Sequence, residues 1–155
     1  MAAVLFVCTA NICRSPMAEA VMKARLPGSA ITLAQSAGAR AGPRGEVVDA
    51  RAAAALQRRH YTLEKKWRSR RVQAEDFERF DLILAMEAQN LADLQRQCPA
   101  HLQSRLRLLL DFAPGLAGQD VPDPYFGPAA GFDRVLDLIE RGIEGLRQSG
   151  HLDAR

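Results

Sequence analysis

Short apolar runs alternate with longer amphipathic stretches along this chain. Ala3-Val4-Leu5-Phe6-Val7 is apolar throughout, the pattern of a short strand buried on both faces. Ser15-Pro16 follows a brief loop; Ser is a good helix cap and Pro suits the first helical position. A helix is predicted over 17–26, stopped by Pro27-Gly28. A second strand is predicted over 31–37 and ends at Gly38. An Ala-rich stretch predicts a helix over 48–59. Leu82-Ile83-Leu84 lies in a third buried strand over 81–86. A helix over 88–97 stops before Pro99, and a fourth strand is predicted over 105–110. Phe132, Val135, Leu136, Ile139, Ile143 and Leu146 recur at helical spacing and predict a last helix over 131–148, its final turns weakened by Gly142 and Gly145. Strands alternating with helices imply an α/β fold around a parallel sheet. No repeat, low-complexity tract or linker interrupts the pattern, so residues 1–155 read as one domain.

Composition narrows the class. The apolar start is short and has no basic leader, which makes a poor export signal and leaves the cytoplasm as the expected location. No stretch is long and apolar enough to enter a bilayer, so membrane insertion is not expected. Three cysteines are an odd number, which argues against a disulfide framework, and no Cys or His pair has zinc spacing. The net charge is +3, with basic clusters at Arg58-Arg59-His60 and from Lys65 to Arg71. These are either solvated surface or a field that attracts anionic substrates and acidic partners. No aromatic-interleaved or repeated module accompanies them, so nucleic acid is not an expected partner.

Candidate chemistry concentrates in the first strand-to-helix loop. In parallel sheets, ligands bind outside the carboxyl ends of strands. Here that place holds Cys8-Thr9-Ala10-Asn11-Ile12-Cys13-Arg14-Ser15. Five residues between Cys8 and Arg14 make a loop short enough to wrap one tetrahedral anion. Its backbone N–H groups and the following helix N-terminus attract negative charge. Arg14 can fork onto two phosphate oxygens, while Cys8 lies beneath the anion as nucleophile. The donors that bind phosphate also favour thiolate over thiol, and the Ser15 hydroxyl can add a further bond to sulfur. Asn11 suits the left-handed residue of the turn. An isolated Cys-x5-Arg is more often a tight connection with a buried Cys; the strand before it and the Arg-Ser-Pro after it favour the phosphate site.

From Val7 to Pro16 the chain resembles the signature of the low-molecular-weight protein tyrosine phosphatases. The resemblance continues in Ser36-Ala37-Gly38, in Asp76-Phe77-Glu78-Arg79-Phe80-Asp81 and in Asp120-Val121-Pro122-Asp123-Pro124-Tyr125, and it covers nearly the whole chain. It implies a four-stranded parallel sheet flanked by helices, with the phosphatase loop between first strand and first helix. It implies no cofactor and no metal, and a two-step hydrolysis of phosphotyrosine and small aryl phosphates through a phosphocysteine on Cys8. Asp123 sits in a Pro- and Gly-rich segment and on its own reads as acid or ordinary turn residue; the resemblance makes it the general acid and base. The expected partner is a tyrosine-phosphorylated protein, with a cognate tyrosine kinase among the compatible ones. The expected state is a monomer or weak dimer.

The chain departs from the family pattern in three places. Ala10 stands where Gly is usual, and a backbone angle that Ala tolerates makes this harmless. Trp67 stands where a His usually braces the Asn and Ser of the loop; Trp has one donor and no acceptor, which puts that network in question. Gly42 stands where the loop 39–45 usually supplies an aromatic pocket wall. Tyr125 and Phe126 remain as the other wall, so a more open pocket is expected. Arg40 and Arg44 flank the gap, either selecting acidic residues beside the phosphotyrosine or simply solvated.

Cys13 either packs beneath the loop or traps an oxidised Cys8 as a disulfide. Cys98 reads as structural, Glu87 and Asn90 as local supports, and His60, His101 and His151 receive no role. Two further functions compete. An arsenate reductase of related fold would need a downstream cysteine pair, and only Cys98 is present. A non-catalytic phosphotyrosine-binding module would tolerate loss of Cys8, Arg14 or Asp123, and all three are retained. Sugar-transporter subunits that carry phosphate on Cys leave Arg14 and Asp123 unexplained.

Overall fold

The apolar run after the start codes for a strand with two dry faces. In the computed structural model, which describes residues 2–150, β1 (Ala2–Cys8) is the inner strand that carries the site. It pairs in parallel with β2 (Ile31–Gly38) on one side and β3 (Leu82–Ala85) on the other; β4 (Leu106–Leu108) adds beyond β3, giving the order β2-β1-β3-β4. Successive side chains of β1 point to opposite faces. Val4 and Phe6 join Met17, Val21, Phe132 and Ile139 on one face, while Leu5 and Val7 join Phe77, Ile83, Leu94 and Leu108 on the other. Both faces are therefore covered, which a wholly parallel sheet requires.

The helices are α1 (Arg14–Ala24), α2 (Ala50–Arg58), α3 (Asp76–Arg79), α4 (Ala88–Gln97) and α5 (Ala130–Ser149). The α/β expectation and the four strands are borne out, with differences at the ends. The fourth strand is shorter than 105–110, because 100–105 and 109–112 are 3-10 turns. An apolar run such as Leu108-Leu109-Leu110 has no period that separates strand from turn. The short α3 was not expected from pattern. Gly145, read as a weakness in the last helix, is required there: a Cβ would lie 1.8 Å from Phe112 O. Residue 1, residues 151–155 and hence His151, all included in the single-domain reading, lie outside the described residues.

From β1 the chain moves to β2 on one side, and then returns to β3 on the other. The loops that leave the carboxyl ends of β1 and β3 thus diverge, and the crevice between them is where an open parallel sheet binds ligands. Cys8 ends β1 and Glu87 follows β3 on the same edge.

Candidate active site

Residues 9–13 bend between β1 and α1, and Asn11 makes the bend by adopting φ 61°. Its short amide side chain tolerates this region better than most. Ala10 has no positive φ, so the methyl group there introduces no strain. The outer edge of the loop is tied to the end of β2: Ala39 N donates to Cys8 O at 2.8 Å and Arg40 N to Thr9 O at 2.9 Å. Gly38 lets them approach, since a Cβ there would be 2.8 Å from Thr9 O.

Cys8 is buried, with Sγ 2.9 Å from Ser15 Oγ. Asn11 Nδ2 donates to Ser15 Oγ at 2.7 Å and to Ser36 Oγ at 3.0 Å, which uses both its protons. Ser36 donates to Glu19 Oε1 at 2.6 Å, and Asn11 Oδ1 accepts from Arg70 N at 2.9 Å. Ser15 Oγ accepts from Asn11, and its one hydrogen has two acceptors in reach, Cys8 Sγ at 2.9 Å and Ala37 O at 3.4 Å, the shorter approach being to sulfur. A donor aimed at Sγ stabilises a thiolate. Ser15 was expected to cap the helix as well. The helix instead begins two residues earlier, at Arg14, with Cys13 as cap, and the hydroxyl serves the sulfur and Asn11.

The question raised by Trp67 has a physical answer. Its indole Nε1 donates to Glu19 Oε1 at 3.1 Å, and Lys23 Nζ donates to Glu19 Oε2 at 2.7 Å. Glu19 is buried and acceptor-only when ionised, so a residue with a donor and no acceptor suffices. The chain Glu19–Ser36–Asn11–Ser15 then braces the loop without a histidine.

Arg14 is 2% exposed and directed by two acceptors: Nη1 donates to Val121 O at 3.0 Å and Nη2 to Glu87 Oε1 at 3.2 Å. Glu87 also accepts from Thr9 Oγ1 at 3.4 Å, and Asn90 Nδ2 donates to Thr9 Oγ1 at 3.0 Å. Both residues after β3 thus support the loop, as expected. Asp123 arrives on the segment 120–128, held at its start by Val121 N donating to Met86 O at 2.7 Å. Asp123 Oδ1 accepts from Tyr125 N at 3.0 Å. Oδ2 accepts no hydrogen bond from the described residues and lies 3.8 Å from Arg14 Nη2.

These groups line one cavity of about 310 Å³, formed by Cys8, Thr9, Ala10, Ile12, Cys13, Arg14, Asp123, Tyr125 and Phe126. Tyr125 and Phe126 meet edge to face with ring centroids 4.9 Å apart. Gly42, expected as a pocket position, is not part of this lining. A Cβ there meets nothing within 4 Å, so the position is open. Arg40, read as either substrate-selecting or simply solvated, forks onto Asp93 of α4 at 2.9 and 3.1 Å, which holds the Asp93 carboxyl below the usual carboxylate range. Arg44 is exposed.

Burial, followed by the neighbouring Asp49, pushes the Cys13 thiol up to about 12. Cys13 is therefore protonated near neutrality and is not a competing nucleophile. Cys98 is buried and its thiol is raised by that burial, consistent with a structural residue. Sequence reasoning missed the parts played by Glu19, Ser36 and Arg70. Only Glu19 left a signal: it lies one helical turn beyond Ser15, a charge on a face otherwise buried.

Residues 3–154 match the family described as low molecular weight phosphotyrosine protein phosphatase. A low molecular weight protein-tyrosine-phosphatase of Streptomyces coelicolor is 41% identical over 149 residues, 92% of this chain and 90% of its own. A protein tyrosine phosphatase from Entamoeba histolytica, solved with Hepes in the active site, superposes with a TM-score of 0.88 at 34% identity over 100% of both chains. The YwlE arginine phosphatase, in a mutant with a phosphorylated active-site serine, gives 0.84 at 30% identity over 96% of this chain and 95% of its own.

Proposed function

The chain belongs to the low molecular weight phosphotyrosine protein phosphatase family and is a protein-tyrosine phosphatase; on that premise we propose that Cys8 is its nucleophile, Arg14 its phosphate clamp and Asp123 its acid and base. The observation that carries the assignment is their convergence: Cys8 Sγ backed by the Ser15 hydroxyl, Arg14, and the free Oδ2 of Asp123 face one cavity.

In the first step the Cys8 thiolate attacks phosphorus. The bond from phosphorus to the tyrosine oxygen breaks, and the proton on Asp123 Oδ2 passes to that oxygen. In the second step water attacks the phosphocysteine, gives its proton to Asp123, and the sulfur–phosphorus bond breaks. Arg14 and the N–H groups of residues 9–15 stabilise the phosphoryl oxygens in both steps, which is the main requirement of phosphoryl transfer.

The cavity favours an aryl phosphate. Ile12, Tyr125 and Phe126 suit the flat apolar face of a phenol, and aromatic contact adds about 0.5–1.5 kcal/mol beyond burial. The Ile12 side chain in that wall offers no hydrogen bond to a guanidinium leaving group, as in phosphoarginine. The proposed substrates are phosphotyrosine proteins, a cognate tyrosine kinase among them; no described helix is long and apolar enough to cross a membrane. The test is hydrolysis of one peptide carrying phosphotyrosine, phosphoserine or phosphoarginine in turn. Release of phosphate from the phosphotyrosine peptide alone is expected. Comparable release from phosphoarginine overturns the substrate class.

Cys13 is proposed as the thiol that condenses with an oxidised, sulfenic Cys8, releasing water and forming a disulfide. Its high protonation range makes that step slow. Absence of a Cys8–Cys13 link by mass spectrometry after mild peroxide excludes the role.

A further inference from the structure

Arg51 is not part of the cavity lining, yet it joins the two loops that form the cavity. Asp49 caps α2, accepting from Arg51 N at 2.8 Å, and its own backbone N–H donates to Ile12 O of the phosphate loop at 2.8 Å. The Asp49 carboxylate takes a forked pair from Arg51, Nε to Oδ1 at 3.1 Å and Nη2 to Oδ2 at 3.0 Å. The remaining Nη1 donates to Tyr125 O at 2.9 Å, across 74 positions of sequence. The guanidinium also packs on two rings, 4.6 Å from the centroid of buried Phe132 and 5.2 Å from that of Tyr125.

Tyr125 is the residue whose N–H occupies Asp123 Oδ1. A group that fixes Tyr125 therefore also fixes which oxygen of Asp123 is free and where it points. We propose that Arg51 is a positioning residue for the acid, strapping the segment 123–125 to the phosphate loop so that Asp123 Oδ2 meets the leaving oxygen. The proposal rests on the assignment of Asp123 as acid. Three directed donors and a planar face are needed at once, which a lysine cannot supply. The mutual hydrogen bonds hold Asp49 below and Arg51 above their ordinary ranges, so both stay charged at working pH. Any contribution of the pair to folding is read separately, by thermal unfolding, from its effect on the chemical step.

The test is kcat/KM across aryl phosphates whose phenols differ in acidity, for wild type, Arg51→Met, Arg51→Lys and Asp123→Asn, with thermal unfolding of each variant. A displaced acid matters most where the leaving phenol is least acidic. Arg51→Met is expected to lose about tenfold at that end and under about twofold at the other, with inhibition by inorganic phosphate unchanged. Arg51→Lys should recover part of the loss, and Asp123→Asn should show the same trend more strongly. If Asp123→Asn steepens the series while Arg51→Met loses uniformly or not at all, the positioning role is wrong and the acid assignment stands. If Asp123→Asn leaves the series flat, the acid assignment fails and this proposal with it.

Discussion

The loop 8–15 and the segment 120–128 meet at one cavity but are built in opposite ways. In the first, Asn11 and Ser15 are fully buried and Arg14 is 2% exposed; Asn11 is held by Ser15, Ser36 and the backbone of Arg70, and Arg14 by Glu87 and the carbonyl of Val121. In the second, Asp123 is 48% and Phe126 94% exposed, and backbone bonds to Met86, Arg14 and Arg51 carry the segment. Binding an anion requires a fixed ring of donors, and burial in the core supplies that rigidity. Receiving a bulky aryl group requires an accessible rim, and a surface segment supplies that. Anion binding and attack should therefore be robust properties of the core, whereas protonation and specificity should be sensitive to a few surface contacts.

Removing the nucleophile breaks this pairing most severely. Cys8→Ser should lower turnover by at least ~10⁴-fold while vanadate still binds, because the donors are untouched. Substantial turnover by the purified variant contradicts the role of the sulfur. Next in size is the acid. Asp123→Asn should slow hydrolysis of a phosphotyrosine peptide by about 10²–10³-fold, with little change in inhibition by phosphate. A large loss of phosphate binding would show that the segment 120–128 also builds the anion site.

Much of the first region was legible because its chemistry is local. Cys8, Arg14 and Ser15 lie within eight residues, after an apolar strand, and the left-handed Asn11 follows from its residue type. The helix 88–97 was likewise readable from its period and the Pro99 stop. The supports were not legible. Ser36, Trp67 and Arg70 reach Glu19 or Asn11 only after β2 and the turns near 67–70 fold against α1. The resemblance supplied Trp67 as a missing histidine, but no spacing showed that a single indole donor would satisfy Glu19. The pairing of Arg40 was hidden for the same reason. Its partner Asp93 is distant in sequence.

Stability should separate the two regions as well. Asn11→Ala loses the tolerance of an Asn for the left-handed turn and strips partners from Ser15, Ser36 and Arg70, at a cost of about 2–4 kcal/mol. Asn11→Gly keeps the turn and should recover roughly 1 kcal/mol of it. Tyr125→Ala, on the exposed rim, should cost under about 1 kcal/mol. Equal losses in denaturant titrations would mean that the phosphate loop is not the stiffer element. The smallest effect is expected at the open wall. Gly42→Trp should lower KM for a phosphopeptide by about twofold to tenfold if an aromatic there reaches the ring, and Tyr125→Ala should raise it. No change with Gly42→Trp places the loop 39–45 outside substrate reach.

The division of labour between the two regions meets its most direct test in the covalent intermediate. With Asp123→Asn, water attack is deprived of its base, so the phosphoenzyme formed by the intact core loop should accumulate. The measurement is acid quenching during turnover of an activated aryl phosphate, followed by peptide mapping. Phosphate is predicted on the sulfur of Cys8, and absent when Cys8→Ala is combined with Asp123→Asn. Turnover with no adduct on Cys8, or phosphate carried by another residue, would contradict the account.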